Sequence, residues 1–598
     1  MKRVDFSNIK ITGGFWKQRQ DLIRNVTAKA VYDRFYDTGR IDAFKFDKGL
    51  GIQPHIFWDS DVAKWMEGVA YLLIEKREPQ LEKIVEDLID LIEKNQDECG
   101  YFNIFFTVVE PQNRFTNRDC HELYCAGHLM EASVAYYYAT GKRKFLDLMC
   151  KYADYIEKRF KIDKDTGFVT PGHEEIELAL VKMYEATGEK RYLELSKFFV
   201  DERGKRSEFK YDWCKESYHQ SHKPVREQSE AVGHAVRATY LYCAMADLAL
   251  QYNDEELKSS CEKLFDDIVN HKMYITGGIG SSRAGEAFTI PYDLPNLIAY
   301  TESCAAIGLI LFAHRMLLLT NDVKYSHVIE RVLYNGFLSS FSLDGKAFFY
   351  CNPLEVLPSL KGRDEELTEK TINMPITERV EIFECSCCPP NIVRFIPSMG
   401  NYLYTYDKNT IYVHQFMESE ANINGVTIEQ KTNYPLDGKI QITVKGKNTR
   451  LCVRIPEYID TYECKNENGY AVFDVKDGDT ITLEFEMKPQ LIEANPLVTF
   501  DSGKVSIMRG PVVYCLEEVD NGKNLRDIRI CKNTEFTEII DTDLNALCLE
   551  VDAYRRKPTI ALYAPISSER IKIRAKLIPY YAFANRGESE MTVWCLAE

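Results

Sequence analysis

The sequence predicts a multidomain chain with separate α and β parts. The expected order is an (α/α)6 helical barrel over 1–403, a β-sandwich over 404–500 and a second β-sandwich over 501–598. Three observations carry this expectation. At 598 residues the chain is too long for one hydrophobic core. Its first two thirds repeat a helical hairpin. Near residue 400 the apolar period changes from that of a helix to that of a strand.

The helical part comes first. Periodic apolar segments follow one another, among them 62–74, 81–92 and 123–138. Ala139-Thr140-Gly141-Lys142-Arg143-Lys144-Phe145-Leu146 recurs as Ala186-Thr187-Gly188-Glu189-Lys190-Arg191-Tyr192-Leu193. A looser copy is Leu319-Thr320-Asn321-Asp322-Val323-Lys324-Tyr325. The Gly or Asn suits a helix C-cap, and the polar residues after it suit the start of the next helix. Hairpins recurring every ~45–70 residues point to a solenoid or a closed toroid. Roughly six hairpins closing on themselves would make an (α/α)6 barrel.

The β part follows. Ile440, Ile442 and Val444 alternate with polar residues, as do Leu451, Val453 and Ile455, and Ile481, Leu483 and Phe485. Period-two alternation broken by Asp-Gly and Lys-Gly turns reads as antiparallel strands. The segment 4–15 is a candidate extra strand for one of these modules.

Composition narrows the function. A net charge of −16 disfavours nucleic acid and anionic membrane as partners. The first residues lack the apolar stretch of a signal peptide, and no run of 18 apolar residues suggests a membrane span. Eighteen cysteines without a signal peptide suggest a reducing compartment, hence a cytoplasmic location. A homodimer is an allowed assembly.

Five features could carry chemistry. In Glu384-Cys385-Ser386-Cys387-Cys388-Pro389-Pro390-Asn391, three thiols precede a Pro-Pro able to open a helix. A thiol at a helix N-terminus has a lowered pKa, and thiolate is both metal ligand and nucleophile. A buried turn with inert thiols fits the same residues. Tyr300-Thr301-Glu302-Ser303-Cys304 opens an apolar helix; there Glu302 and Cys304 either share a cavity or serve the helix dipole and the core. The glycine-rich loop 277–288 presents Glu286 and lacks the Gly-Lys-Ser/Thr of a phosphate loop, so it is an active-site loop or a plain connector. Histidines 121, 128, 173 and 234 recur near the starts of expected inner helices, where sugar-binding groups could ring a cavity mouth. Trp58-Asp59-Ser60-Asp61 offers an aromatic platform with two carboxylates, or an N-cap beside a core tryptophan.

Taken together, these segments resemble glycoside hydrolase family 127, the bacterial β-L-arabinofuranosidases, over nearly the whole chain. The resemblance rests on Gly13-Gly14-Phe15-Trp16, on 57–65, on the Glu286 loop, on Glu302-Ser303-Cys304, on Cys387-Cys388-Pro389-Pro390-Asn391, and on Arg509-Gly510-Pro511-Val512-Val513-Tyr514. It implies an (α/α)6 catalytic barrel followed by β-sandwiches. It implies Zn2+ held by Glu302, Cys304, Cys387 and Cys388. It further implies Cys387 as nucleophile, Glu286 as general acid/base, and His121, His173, His234 and Tyr350 as sugar contacts. The expected activity is retaining, exo-acting release of L-arabinofuranose from an arabinofuranose-containing oligosaccharide. Three alternatives stay open: the same mechanism on another pectin-derived furanoside, a zinc-free carboxylate pair drawn from Asp59, Asp61, Glu230 and Glu286, and a non-catalytic helical scaffold.

Overall fold

Twelve helices organise the first part of the chain. They are α1 (Ala28–Asp37), α2 (Trp58–Glu75), α3 (Pro79–Asn95), α4 (Glu122–Thr140), α5 (Lys144–Glu157), α6 (Ile176–Thr187), α7 (Lys190–Glu202), α8 (Ala235–Tyr252), α9 (Glu255–Asp267), α10 (Ser303–Thr320), α11 (Val323–Val332) and α12 (Cys388–Phe395). The computed structural model describes every residue except 48, 50, 52, 207–214, 364–365, 367–375 and 567–568.

Burial separates the helices into two kinds. In α5 the buried residues Phe145, Leu148, Met149, Tyr152 and Ile156 form one stripe, so this helix lies on the outside. In α4 every residue from 122 to 136 is buried, so it is enclosed on all sides. The enclosed helices touch in a closed cycle, α2 to α4, α6, α8, α10, α12 and back to α2. The odd-numbered helices pack outside them, α3 on α2, α5 on α4, α7 on α6, α9 on α8, α11 on α10 and α1 on α12. The recurring Ala-Thr-Gly segment is the turn from an inner helix to its outer partner. Gly141 and Gly188 close α4 and α6 at φ 72° and 76°, and Asn321 closes α10 at φ 60°. By length and composition α10 is the one described helix that could cross a membrane, with a mean hydropathy of 1.7. Its apolar surface is instead taken up by α8, α11 and α12.

The remainder is sheet. A six-stranded sheet includes Tyr404–Asp407, Thr410–Val413, Thr449–Arg454 and Tyr470–Val475, and a five-stranded sheet includes Ser419–Ile423, Val426–Thr432, Lys439–Lys445 and Thr480–Glu484. Ile440, Ile442 and Val444 face inward as their alternation predicts. The N-terminal segment contributes to both sheets: Lys2–Arg3 pairs with Tyr404–Asp407, and Ile9–Ile11 pairs with Ser419–Ile423. A ten-stranded sheet holds the C-terminal part and borrows Glu355–Val356 from the helical region. It also contains Pro489–Ile492, which pairs with Lys504–Arg509. The helical region is tied to this sheet by Asn335, whose Nδ2 donates to Pro511 O at 2.9 Å and whose Oδ1 accepts from Val513 N at 2.7 Å. The motif 509–514 is therefore a seam between parts and lies away from the cleft described below.

One buried clamp positions the loop before α6. Arg203, fully buried, pairs with Glu174 at 2.8 Å and Glu177 at 3.1 Å, and donates to Pro171 O and His219 O. Arg203→Met leaves two carboxylates buried without a cation, and the expected cost is about 3–5 kcal/mol. The check is a lower urea midpoint for the variant; an unchanged midpoint contradicts the clamp.

Candidate active site

The starts of all six inner helices open on one cleft of about 510 Å3. Phe57 and Ser60 come from the start of α2, His121 and Tyr124 from α4, His173 from the loop before α6, and His234 and Arg237 from α8. Glu302 and Cys304 begin α10, and Cys387 begins α12. Helix N-termini carry partial positive charge and free N–H groups, so this end of the ring favours anionic side chains.

Three of those side chains, Glu302, Cys304 and Cys387, converge with Cys388 beneath them. Cys304 Sγ lies 3.7 Å from Cys387 Sγ and 3.4 Å from Cys388 Sγ, and the latter two sulfurs are 3.7 Å apart. Glu302 Oε1 is 3.7 Å from Cys387 Sγ and 3.8 Å from Cys388 Sγ. A tetrahedral metal with sulfur donors at 2.3 Å spaces them about 3.8 Å apart. The donors thus stand near the corners of such a tetrahedron. Glu302 Oε2 is buried and has no hydrogen-bond partner among the described residues. Burial, together with Cys387 nearby, pushes the Glu302 carboxyl well up, and burial with the two neighbouring thiols does the same to Cys388. Burial alone would raise Cys304 as well, but hydrogen bonds from Cys387 and Cys388 bring it down to about 6. Four acidic groups packed without a cation resist joint ionisation, and a bound cation removes that resistance. The donor set therefore fits a metal ion. A second cluster, His128, Glu131 and Glu175, also brings possible ligands together. There Arg394 already pairs with Glu131 at 2.6 Å, and Lys182 pairs with Glu131 too, so two cations occupy the place a metal would take.

Glu286 faces the cluster from the turn Ala284–Glu286, held at φ 53°. Its carboxylate receives three donors. His234 Nε2 lies 2.5 Å from Oε2, Tyr300 Oη 2.5 Å from Oε1 and Tyr350 Oη 3.3 Å from Oε1. His234 Nδ1 accepts the backbone N–H of Val236 at 3.1 Å, which leaves the ring proton on Nε2 and makes that atom a donor to Glu286. Burial would raise the Glu286 carboxyl, but His234, Tyr300 and Arg237 together hold it at about 2. His121 and His173 are turned the other way. Their Nδ1–H groups donate to Asp119 O at 2.7 Å and Glu174 O at 3.1 Å, leaving Nε2 of each ring as an acceptor. Burial brings His121 down to about 3 and His173 well below its ordinary value, so both are neutral at neutral pH. The three rings form a row with centroids 5.6 and 5.5 Å apart, suited to a ligand rich in hydroxyls. Tyr350 Oη lies 3.5 Å from Cys387 Sγ and thus stands between that thiol and Glu286.

The cleft gathers Cys387, Glu286, His121, His173, His234, Tyr350, Glu302 and Cys304, with Cys388 directly beneath. Trp58 is not among its lining residues. It lies in a separate small cleft with Tyr36 and Phe46, under the Arg40 guanidinium 5.2 Å away, and Phe57 takes the place expected for it. Successive helical residues are turned about 100° apart, so neighbours at a helix start face different cavities. The rival carboxylates lie elsewhere too. Asp59 accepts the Ile104 N–H at 3.0 Å, Asp61 pairs with Arg40 at 3.0 Å, and Glu230 is a half-exposed partner of Lys272 at 3.1 Å. The sequence reading missed Tyr300, although it stands in the quoted Glu302 motif, and it missed Tyr124 and Arg237. Arg237 Nη1 donates to Gly172 O at 2.6 Å, and in sequence it reads as one polar residue inside an apolar helix.

Residues 8–401 match the GH127 catalytic domain of β-L-arabinofuranosidases, 410–487 the family's middle domain and 489–596 its C-terminal domain. The chain belongs to glycoside hydrolase family 127. It is 34% identical to a non-reducing end β-L-arabinofuranosidase of Bifidobacterium longum subsp. longum, over 98% of this chain and 99% of that one. A crystal structure of a GH127 β-L-arabinofuranosidase from Geobacillus stearothermophilus T6 is 42% identical, with a TM-score of 0.93, covering 99% of this chain and 100% of that one. A further GH127 β-arabinofuranosidase structure is 35% identical with a TM-score of 0.90, covering 100% of this chain and 98% of that one. This family-127 chain is thus a glycoside hydrolase with a helix-rich N-terminal part and β-rich C-terminal domains.

Proposed function

We propose that this family-127 enzyme is a retaining, exo-acting β-L-arabinofuranosidase with Cys387 as nucleophile and Glu286 as general acid/base. One observation carries the reading: both groups reach the same Tyr350 hydroxyl across the cleft, at 3.5 and 3.3 Å. Sulfur and carboxylate oxygen are therefore at most about 6.8 Å apart. That excludes most of the roughly 6.5–9.5 Å range of inverting enzymes, which must fit a water between the two groups, and it suits double displacement.

In the first step the Cys387 sulfur forms a bond to C1 as the C1–O bond breaks, and Glu286 gives its proton to the departing oxygen. In the second, water bonds to C1, passes a proton to Glu286, and the C1–S bond breaks. Zinc held by Glu302, Cys304, Cys387 and Cys388 would keep the sulfur ionised and make it a better leaving group. The His234 and Tyr300 donors suit Glu286 in its role as base. Ionisation of Glu302, whose donor atom lies within 4.8 Å of those of His234 and Glu286, places a like charge beside Glu286 and raises its pKa toward the acid role. His121 and His173 offer acceptors, and His234 a donor, for the sugar hydroxyls. None of Asp59, Asp61 and Glu230 lines the cleft, so the carboxylate pair drawn from them does not form there; the carboxylates beside Glu286 are Glu302, a member of the four-donor cluster, and Glu384.

The closed cycle of inner helices supports an (α/α)6 barrel, and the paired sheets after residue 403 support β-sandwich domains. With Pro489–Ile492 in the C-terminal sheet, we set the second domain boundary just before 489. The 17 described cysteines are all unpaired, which favours a reducing, cytoplasmic setting and short oligosaccharide substrates.

The metal assignment is testable without activity. Elemental analysis of protein purified without chelator should show about one zinc per chain, and Cys388→Ser should show much less. Zinc retention should also fall as pH drops, because protons compete for the thiolate ligands. Zinc-free protein, or a Cys388→Ser variant with full zinc content, contradicts the assignment.

A further inference from the structure

We propose that Arg283 is a specificity residue on the leaving-group side of the cleft, and that it selects an aglycone bearing a carboxylate, such as a uronic acid. This rests on the reading of Glu286 as acid/base and adds the chemistry of the group that departs. Arg283 lines the cleft and is half-buried. Among the described residues its guanidinium has neither a hydrogen bond nor an ion-pair partner. The other arginine of the lining, Arg237, is engaged by Gly172 O and by the Tyr218 ring 4.5 Å away. A guanidinium that lines the cleft and is not engaged by the protein keeps its donors free for a bound anion.

Its place is set by the turn that carries the acid/base. The Glu286 N–H donates to Arg283 O at 3.1 Å, and Gly285 at φ 70° and Glu286 at φ 53° fold the chain so that both side chains line the cleft. Ala284 and Gly285 between them are exposed, so the turn stands at the cleft mouth. Glu286 protonates the aglycone oxygen, and a cation on the same turn therefore meets the aglycone, with the arabinose held near Cys387. The lining also carries the acids Glu286, Glu302 and Glu384, and its other cation, Arg237, is already engaged. An anionic aglycone would be repelled there without a dedicated cation. The planar guanidinium fork matches a carboxylate with two parallel hydrogen bonds.

The test uses two β-L-arabinofuranosides that share one leaving hydroxyl, one with a uronic acid aglycone and one with the matching uronamide. The parent enzyme should prefer the acid in kcat/KM by roughly ten- to a hundredfold, the range of a charge-assisted hydrogen bond. The preference should shrink as salt rises, since exposed charges are screened. Arg283→Ala should bring the ratio close to one, and Arg283→Lys should keep part of it. A parent ratio near one, or a ratio untouched by Arg283→Ala, overturns the proposal. Failure to cleave any β-L-arabinofuranoside, neutral aryl glycosides included, instead overturns the functional reading beneath it.

Discussion

Cys387→Ser is expected to lower turnover by about 10⁴-fold or more, the scale on which removal of a covalent nucleophile acts. A serine hydroxyl is far less ionised than a metal-bound thiol and a weaker nucleophile. The position also favours this thiol over its neighbours as the proposed nucleophile. Cys387 is the N-cap of α12, is half-buried and lines the cleft, whereas Cys388 is fully buried beneath it. Cys304 lines the cleft but is 3% exposed. Cys385 also lines it, 3.9 Å from Tyr350 Oη, and stands outside the four-donor cluster. Cys385→Ser should therefore retain turnover that Cys387→Ser loses. Steady-state rates of the two variants on one aryl arabinofuranoside make the comparison, and equal losses contradict the assignment.

Glu286→Gln is the second large effect. The amide cannot supply a proton, so hydrolysis of a sugar aglycone should fall by roughly 10²–10⁴-fold. A dinitrophenyl aglycone leaves without protonation, so its release in the first step should be far less impaired. Zinc content should be unchanged, because Glu286 lies outside the set Glu302, Cys304, Cys387 and Cys388. Rate loss independent of the leaving group contradicts the acid role, and zinc loss would show that Glu286 supports the metal instead.

Much of this site could be read in the sequence because it is local. Glu302 with Cys304, and Cys387 with Cys388, each mark the start of an inner helix, and such starts meet at one end of a helical ring. The Ala-Thr-Gly turn between inner and outer helices likewise leaves a local signature. What stayed hidden depends on helix rotation and on distant partners. Whether Phe57 or Trp58 faces the cleft turns on about 100° of helix rotation, which no composition encodes. Asp59 and Asp61 look catalytic in sequence, yet their charges are spent on the Ile104 N–H and on Arg40. Arg237 acts from inside an apolar helix and carries no motif. The N-terminal edge strands pair with residues about 400 positions away, a contact that alternation in 4–15 cannot specify.

The central claim is that Cys387 carries the sugar. An electrophilic L-arabinofuranose analogue, such as a haloacetamide or an epoxide, tests it most directly when followed by peptide mass spectrometry. The account predicts one label per chain, on Cys387, prevented by excess L-arabinofuranose and accompanied by loss of activity. A label on Glu286 or any other carboxylate, with Cys387 unmodified, would contradict it.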